Sequence, residues 1–130
     1  MAEMAIVLVE HAATHIAEVG PAQGFADITR HSQRFRNGEI YVFCMDASAT
    51  VVANADNPRL VGKNLSTVHD GNGTLPAPEI YRIGETQGKG WFEYLWPNPV
   101  TRRVQRKRTY VMRVDDNAVC AAGYYRADAS

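Results

Sequence analysis

Apolar residues recur at steps of three and four along the first stretch of the chain. Ala2, Ile6, Val9, Ala13 and Ile16 fall on one stripe, which predicts a helix over residues 2–19. Gly20-Pro21 ends it, and Pro21 suits the first turn of a second helix running to about Gln33, anchored by Phe25 and Ile28. The period then changes. Residues 40–45, Ile-Tyr-Val-Phe-Cys-Met, are a near-continuous apolar run, which predicts a central strand covered on both faces. Asp46 to Ala49 makes a turn, and residues 50–54 return as a second antiparallel strand. Residues 66–78 carry Asp70-Gly71-Asn72-Gly73 and two prolines and read as irregular turns. A short helix over residues 79–87 would point Ile80 and Ile83 inward.

Strands follow at 90–96, 104–114 and 118–125, joined by Pro97-Asn98-Pro99 and by Asp115-Asp116-Asn117. Alternation puts Phe92, Tyr94 and Trp96 on one face of the first of these, and Trp91, Glu93 and Leu95 on the other. Helices at one end and antiparallel hairpins at the other make an α+β domain, and 130 residues suit a single domain, 1–130.

Composition narrows the possible roles. The formal net charge is zero, which argues against a nucleic-acid or anionic-membrane binder. The apolar run near the N-terminus, Ala5 to Val9, is too short to span a membrane and lacks the basic flank of a signal peptide. The chain is therefore expected in the periplasm if a signal peptide has been removed, and otherwise in the cytoplasm. Cys44 and Cys120 have no metal-type spacing and are expected as two buried thiols. A bridge between them would need their strands side by side, with Cα atoms within about 7 Å, and stays open.

No catalytic or nucleotide-binding motif is present: no G-x-S-x-G, no P-loop, no G-x-G-x-x-G. Neither enzyme activity nor a cofactor is expected. His11 and His15 share a helix face with zinc-ligand spacing, but no Glu follows His11 and no third ligand is near, so they read as histidines flanking an amphipathic helix. The hairpin is more informative. Phe92, Tyr94 and Trp96 could by spacing be core. The adjacent strand, however, carries Arg102, Arg103, Arg106, Lys107 and Arg108, and alternation turns Lys107 away from Arg106 and Arg108. A lysine turned inward is costly unless it meets an anion. A small carboxylate ligand would serve, and so would a protein carboxylate such as Glu93.

These segments resemble a known family. Asn57-Pro58 with Leu60-Val61-Gly62-Lys63-Asn64, Gly88-Lys89-Gly90-Trp91, Tyr94-Leu95-Trp96-Pro97-Asn98-Pro99, Lys107 with Tyr110-Val111, and Gly123-Tyr124-Tyr125 follow the order seen in single Cache domains of bacterial chemoreceptors and sensor kinases. The resemblance implies a PAS-like five-stranded antiparallel sheet, with a long N-terminal helix on one face and a ligand pocket on the other. It implies sensing of a small organic acid such as acetate, pyruvate or lactate, without catalysis. It maps ligand contacts onto Tyr41, Phe43, Tyr94, Trp96, Lys107 and Tyr110. Alternation puts Tyr110 opposite Lys107 unless a bulge intervenes.

Three positions depart from the family pattern. Asp46-Ala47-Ser48-Ala49 stands for D-x-x-G, Asn54-Ala55 for His-Pro, and Thr101-Arg102 for Thr-Gly. Asn54 joins the candidate ligand residues, since its amide both donates and accepts. The alternative to a sensor is a structural module of the same fold, a homodimer through the apolar stripe of the N-terminal helix.

Overall fold

The computed structural model describes residues 1–126. Helix α1 spans Ala2–Val19 and α2 spans Pro21–Arg30, with Gly20 between them at φ 90°. A two-residue strand β1, Arg36–Asn37, precedes β2, Ile40–Asp46, and β3, Val51–Asn54. Helix α3 is Pro76–Gln87, and β4 is Lys89–Pro97, β5 is Val104–Asp115 and β6 is Ala118–Tyr125.

The five main strands lie in the order β3-β2-β6-β5-β4, every pair antiparallel, which is the PAS-like α+β arrangement expected. The sixth strand, β1, was not foreseen; it pairs with the start of β2, beside the stretch that β3 takes. Helix α3 starts three residues earlier than expected, because Pro76 occupies its first turn, where no N–H is required. Helix α2 stops at Arg30, and Ser32–Arg34 form a 3-10 turn instead of its last turn.

Helix α1 packs across β5, β6 and β2. The residues it buries are Ala5, Leu8, Val9, Ala12 and Ile16. Val9 and Ile16 of the expected stripe are among them, whereas Ala2, Ile6 and Ala13 flank it half-buried. Met4 to Val9 is apolar throughout, so periodicity there cannot fix the rotation of the helix. The inward stripe is used within the subunit. His15 Nε2 pairs with Asp27 Oδ2 of α2 at 2.7 Å, and His11 stacks on Phe35 with ring centres 5.0 Å apart.

The expectation of two free thiols is corrected. Cys44 and Cys120 form a disulfide, their Cα atoms 4.0 Å apart. Strand β6 inserts between β2 and β5, which sets Cys44 directly opposite Cys120. Neither strand carries a local signal for that pairing; it follows from sheet order.

Candidate functional site

Opposite residues on antiparallel strands share a face. Lys107 lies opposite Tyr94 and Tyr125, and Phe43 opposite Ala121. This places Tyr41, Phe43, Tyr94, Trp96 and Lys107 together on the face that α1 does not cover. They meet in a cavity roofed by α3 and by the crossover segment between β3 and α3, through Leu60, Leu65, Val68 and Ile80. The cavity measures about 30 Å³ to the centre of a water-sized sphere. One water needs about 10–15 Å³ on that measure, so the space suits a molecule of a few heavy atoms.

Lys107 is fully buried. Its Nζ donates to the Tyr41 hydroxyl at 3.1 Å and lies 4.2 Å from the Tyr41 ring centre, 4.9 Å from that of Phe43 and 5.3 Å from that of Tyr125. Desolvation opposes the ammonium. The Tyr41 and Tyr94 oxygens and the Asp56 carboxylate favour it, and the balance holds its pKa above the ordinary lysine value. No carboxylate forms an ion pair with it among the described residues. Glu93 points to the opposite face and pairs with Arg106 at 3.2 Å and Arg126 at 3.1 Å. The cavity wall contains Lys107 and no Asp or Glu.

The other polar groups on the wall have their acceptors occupied. Tyr94 OH accepts from Thr109 Oγ1 at 3.2 Å, and burial pushes its pKa up, so it keeps its proton. Tyr41 OH accepts from Lys107. Asn54 Oδ1 accepts from the backbone N–H of Asp56 at 2.8 Å and of Asn57 at 2.7 Å, which identifies the oxygen and leaves Nδ2 as the group not engaged by protein. The expectation that Asn54 could accept from a ligand therefore falls away. A buried ammonium beside the unengaged Asn54 Nδ2 can hold an anion.

Tyr110 is not part of the cavity. It lies on the α1 face, its ring 5.2 Å from that of Trp91. No bulge separates Lys107 from Tyr110, because β5 keeps regular register with β4 and β6 through these residues. Strict alternation therefore holds.

Two supports lie outside the cavity wall. Gly123 lies opposite Thr109, and a Cβ there would meet Arg108 O at 2.7 Å, Lys107 Cε at 3.0 Å and, closer still, Thr109 Oγ1. The absent side chain is what lets Lys107 lie flat across β6. Asp70 holds the crossover down: its Oδ1 accepts from Asn72 and Thr74 N–H groups, each at 2.9 Å, and its Oδ2 from the N–H of Leu95 at 3.1 Å. Burial works against this carboxylate, but those three donors prevail and keep its pKa below the usual range. The D-G-N-G sequence signalled a turn; its docking onto β4 did not show in sequence.

The sequence matches the family described as "Single Cache domain 2" over residues 4–130. The chain belongs to that family. Among solved structures, this Cache domain is similar to one described as the periplasmic sensor domain of a chemotaxis protein, with 29% identity, a TM-score of 0.75, and coverage of 96% of this chain and 90% of the other. It also shares its fold with a Cache chemosensory domain described for carboxylic acid recognition (20% identity, TM-score 0.82, coverage 97% and 93%). A third is a methyl-accepting chemotaxis protein from Vibrio parahaemolyticus (18% identity, TM-score 0.79, coverage 95% and 87%). No curated protein matches the chain. The family and these neighbours are sensor domains. Among the described residues no helix is long and apolar enough to cross a membrane.

Two of the family departures fall on left-handed backbone: Ala49 at φ 66° and Arg102 at φ 65°. Glycine is free of strain there, which accounts for its usual presence at both positions.

Proposed function

We propose that this Cache domain is a sensor for a small monocarboxylate, with residues 1–130 acting as one ligand-binding unit and no catalysis. The observation that carries the reading is Lys107: a fully buried ammonium facing a cavity whose wall holds no acid. Lys107 would pair with the carboxylate. Tyr41, Tyr94 and Asn54 Nδ2 would donate to its oxygens, and Phe43 and Trp96 would enclose the carbon chain. The size of the cavity favours acids of two to four carbons, such as acetate, propionate, pyruvate or lactate. The neighbour described for carboxylic acid recognition supports the same class.

The Cys44–Cys120 disulfide adds the compartment, since such bonds persist where thiols are not kept reduced. Together with the neighbour described as periplasmic, it favours sensing outside the cytoplasm.

A thermal-shift screen of short carboxylic acids followed by calorimetry tests the reading. A ligand at a hundred times its Kd contributes about 2.7 kcal/mol. A charge-assisted hydrogen bond contributes about 1.5–3 kcal/mol, so Lys107→Ala should weaken binding at least about tenfold. Undiminished affinity in that variant, or no response to any acid, removes the assignment.

A further inference from the structure

The cavity does not end at the protein surface alone. A larger open groove, about 580 Å³ on the same measure, lies outside it and shares three of its walls: Tyr41, Leu60 and Trp96. Its remaining wall includes Asp56, Asn57, Asn98 and Arg102. The two charges there are not equivalent. Asp56 is paired with Arg36 at 3.2 Å. The Arg102 guanidinium makes no hydrogen bond or ion pair among the described residues, so it is the unneutralised charge of the groove.

Arg102 is also held in place at a cost. Its φ of 65° is left-handed, a conformation that costs a non-glycine residue about 1–2 kcal/mol. The loop enforces it. Arg102 N–H donates to Asn98 O at 2.9 Å, and Asn98 N–H to Arg103 O at 2.9 Å. Asn98 is itself buried, its Nδ2 donating to Gln105 Oε1 at 2.7 Å and its Oδ1 accepting from Val100 N–H at 2.9 Å. A glycine would fit without strain. A strained residue at the mouth of a site is a reason to look for function there.

We propose that this groove is the access route to the Lys107 cavity and that Arg102 is its steering cation, capturing the carboxylate before it passes between Tyr41, Leu60 and Trp96. The inference rests on the carboxylate reading above. It assigns Arg102 to the association rate and leaves the bound state to Lys107. A charge at the mouth raises local anion concentration and is screened by salt, whereas the buried contact sets dissociation.

The test is rapid mixing of the whole protein with acetate and propionate, reading Trp fluorescence. Trp96 lines both spaces, and Trp91, on the other face of β4, is replaced by Phe to isolate the signal. Arg102→Gly should lower the association rate about threefold to tenfold at low salt, with the difference vanishing at high salt and the dissociation rate unchanged. Arg102→Glu should lower it further. Arg102→Gly should also melt no lower than the parent, which a purely structural role would not give. Wild-type association rates and salt dependence in both variants overturn the proposal alone, provided Lys107→Ala still weakens binding at least about tenfold. No carboxylate binding by the parent protein overturns the carboxylate reading and the access route with it.

Discussion

Lys107 Nζ lies 3.1 Å from the Tyr41 hydroxyl and 4.2 Å from the centre of the same ring, so one tyrosine both accepts from the buried ammonium and faces it with its π cloud. Neither contact neutralises the charge. Replacing Lys107 with Met keeps most of the volume and removes a desolvated ion. The raised Lys107 pKa means that the fold favours the ammonium over water, so ligand-free Lys107→Met should be less stable than wild type by about 1–2 kcal/mol, the scale of desolvated cation–π contacts, while losing its thermal response to carboxylates. Paired melting curves with and without acetate check both. A ligand-free melting temperature at or above that of wild type would mean that the aromatic contacts do not compensate the desolvation of the ammonium.

The pH dependence follows from the same residue. The pKa of Lys107 is raised, so the ammonium persists below the unfolded value of about 10.4 and is lost only as pH rises through a still higher folded value. Tyr94, raised by burial, stays protonated over the same range. Carboxylate affinity should thus be flat from about pH 6 to pH 9. Calorimetry showing a tenfold fall within that window would place a neutral lysine in the cavity.

Gly123→Ala should damage the site from the far side of β5. Its Cβ would press on Arg108 O, which is backbone and cannot move cheaply, and on Lys107 Cε and Thr109 Oγ1. Overpacking of this kind costs about 1–3 kcal/mol, and a displaced Thr109 takes with it the partner of Tyr94. Chemical denaturation should show the loss, and affinity should fall about tenfold. Native affinity in a stable Gly123→Ala protein would show that the lysine does not depend on crossing β6 there.

Ala49→Gly should stabilise the protein. Ala49 sits at φ 66° in the turn that Asp46 closes by accepting, through Oδ1, from Ser48 and Thr50 N–H groups, each at 3.0 Å. Relief of left-handed strain, about 1–2 kcal/mol, exceeds the entropic cost of glycine, about 0.5–1 kcal/mol. The melting temperature should rise by a few degrees with ligand affinity unchanged. A fall would show that the buried Ala49 methyl contributes more by packing than it costs in strain.

Much of this molecule was legible before its structure. The limits of β2 followed from a near-continuous apolar run, and those of β4 to β6 from strand patterning and the turns around them. Alternation on β5 alone set Lys107 apart from Arg106 and Arg108, and it also placed Tyr110 on the far face, against its mapped role. The five other mapped residues, Tyr41, Phe43, Tyr94, Trp96 and Lys107, converge on one cavity, and Asn54 completes its wall. The crossover was harder. Val68 and Pro76 fall in a stretch without periodicity, so nothing local marked them as a roof.

What the sequence determined by itself was the set of local elements, the family, and which side chains could share a face, because these depend on backbone periodicity and short motifs. The tertiary structure decided which face each element presents to which neighbour. It made Cys44 and Cys120 a disulfide, turned α1 by its Ala5–Leu8–Ala12 side towards the sheet, and left Lys107 buried without an acid. Those outcomes depend on strand order and long-range register. The residues that settle them are far apart in the chain, and no local pattern carries the information.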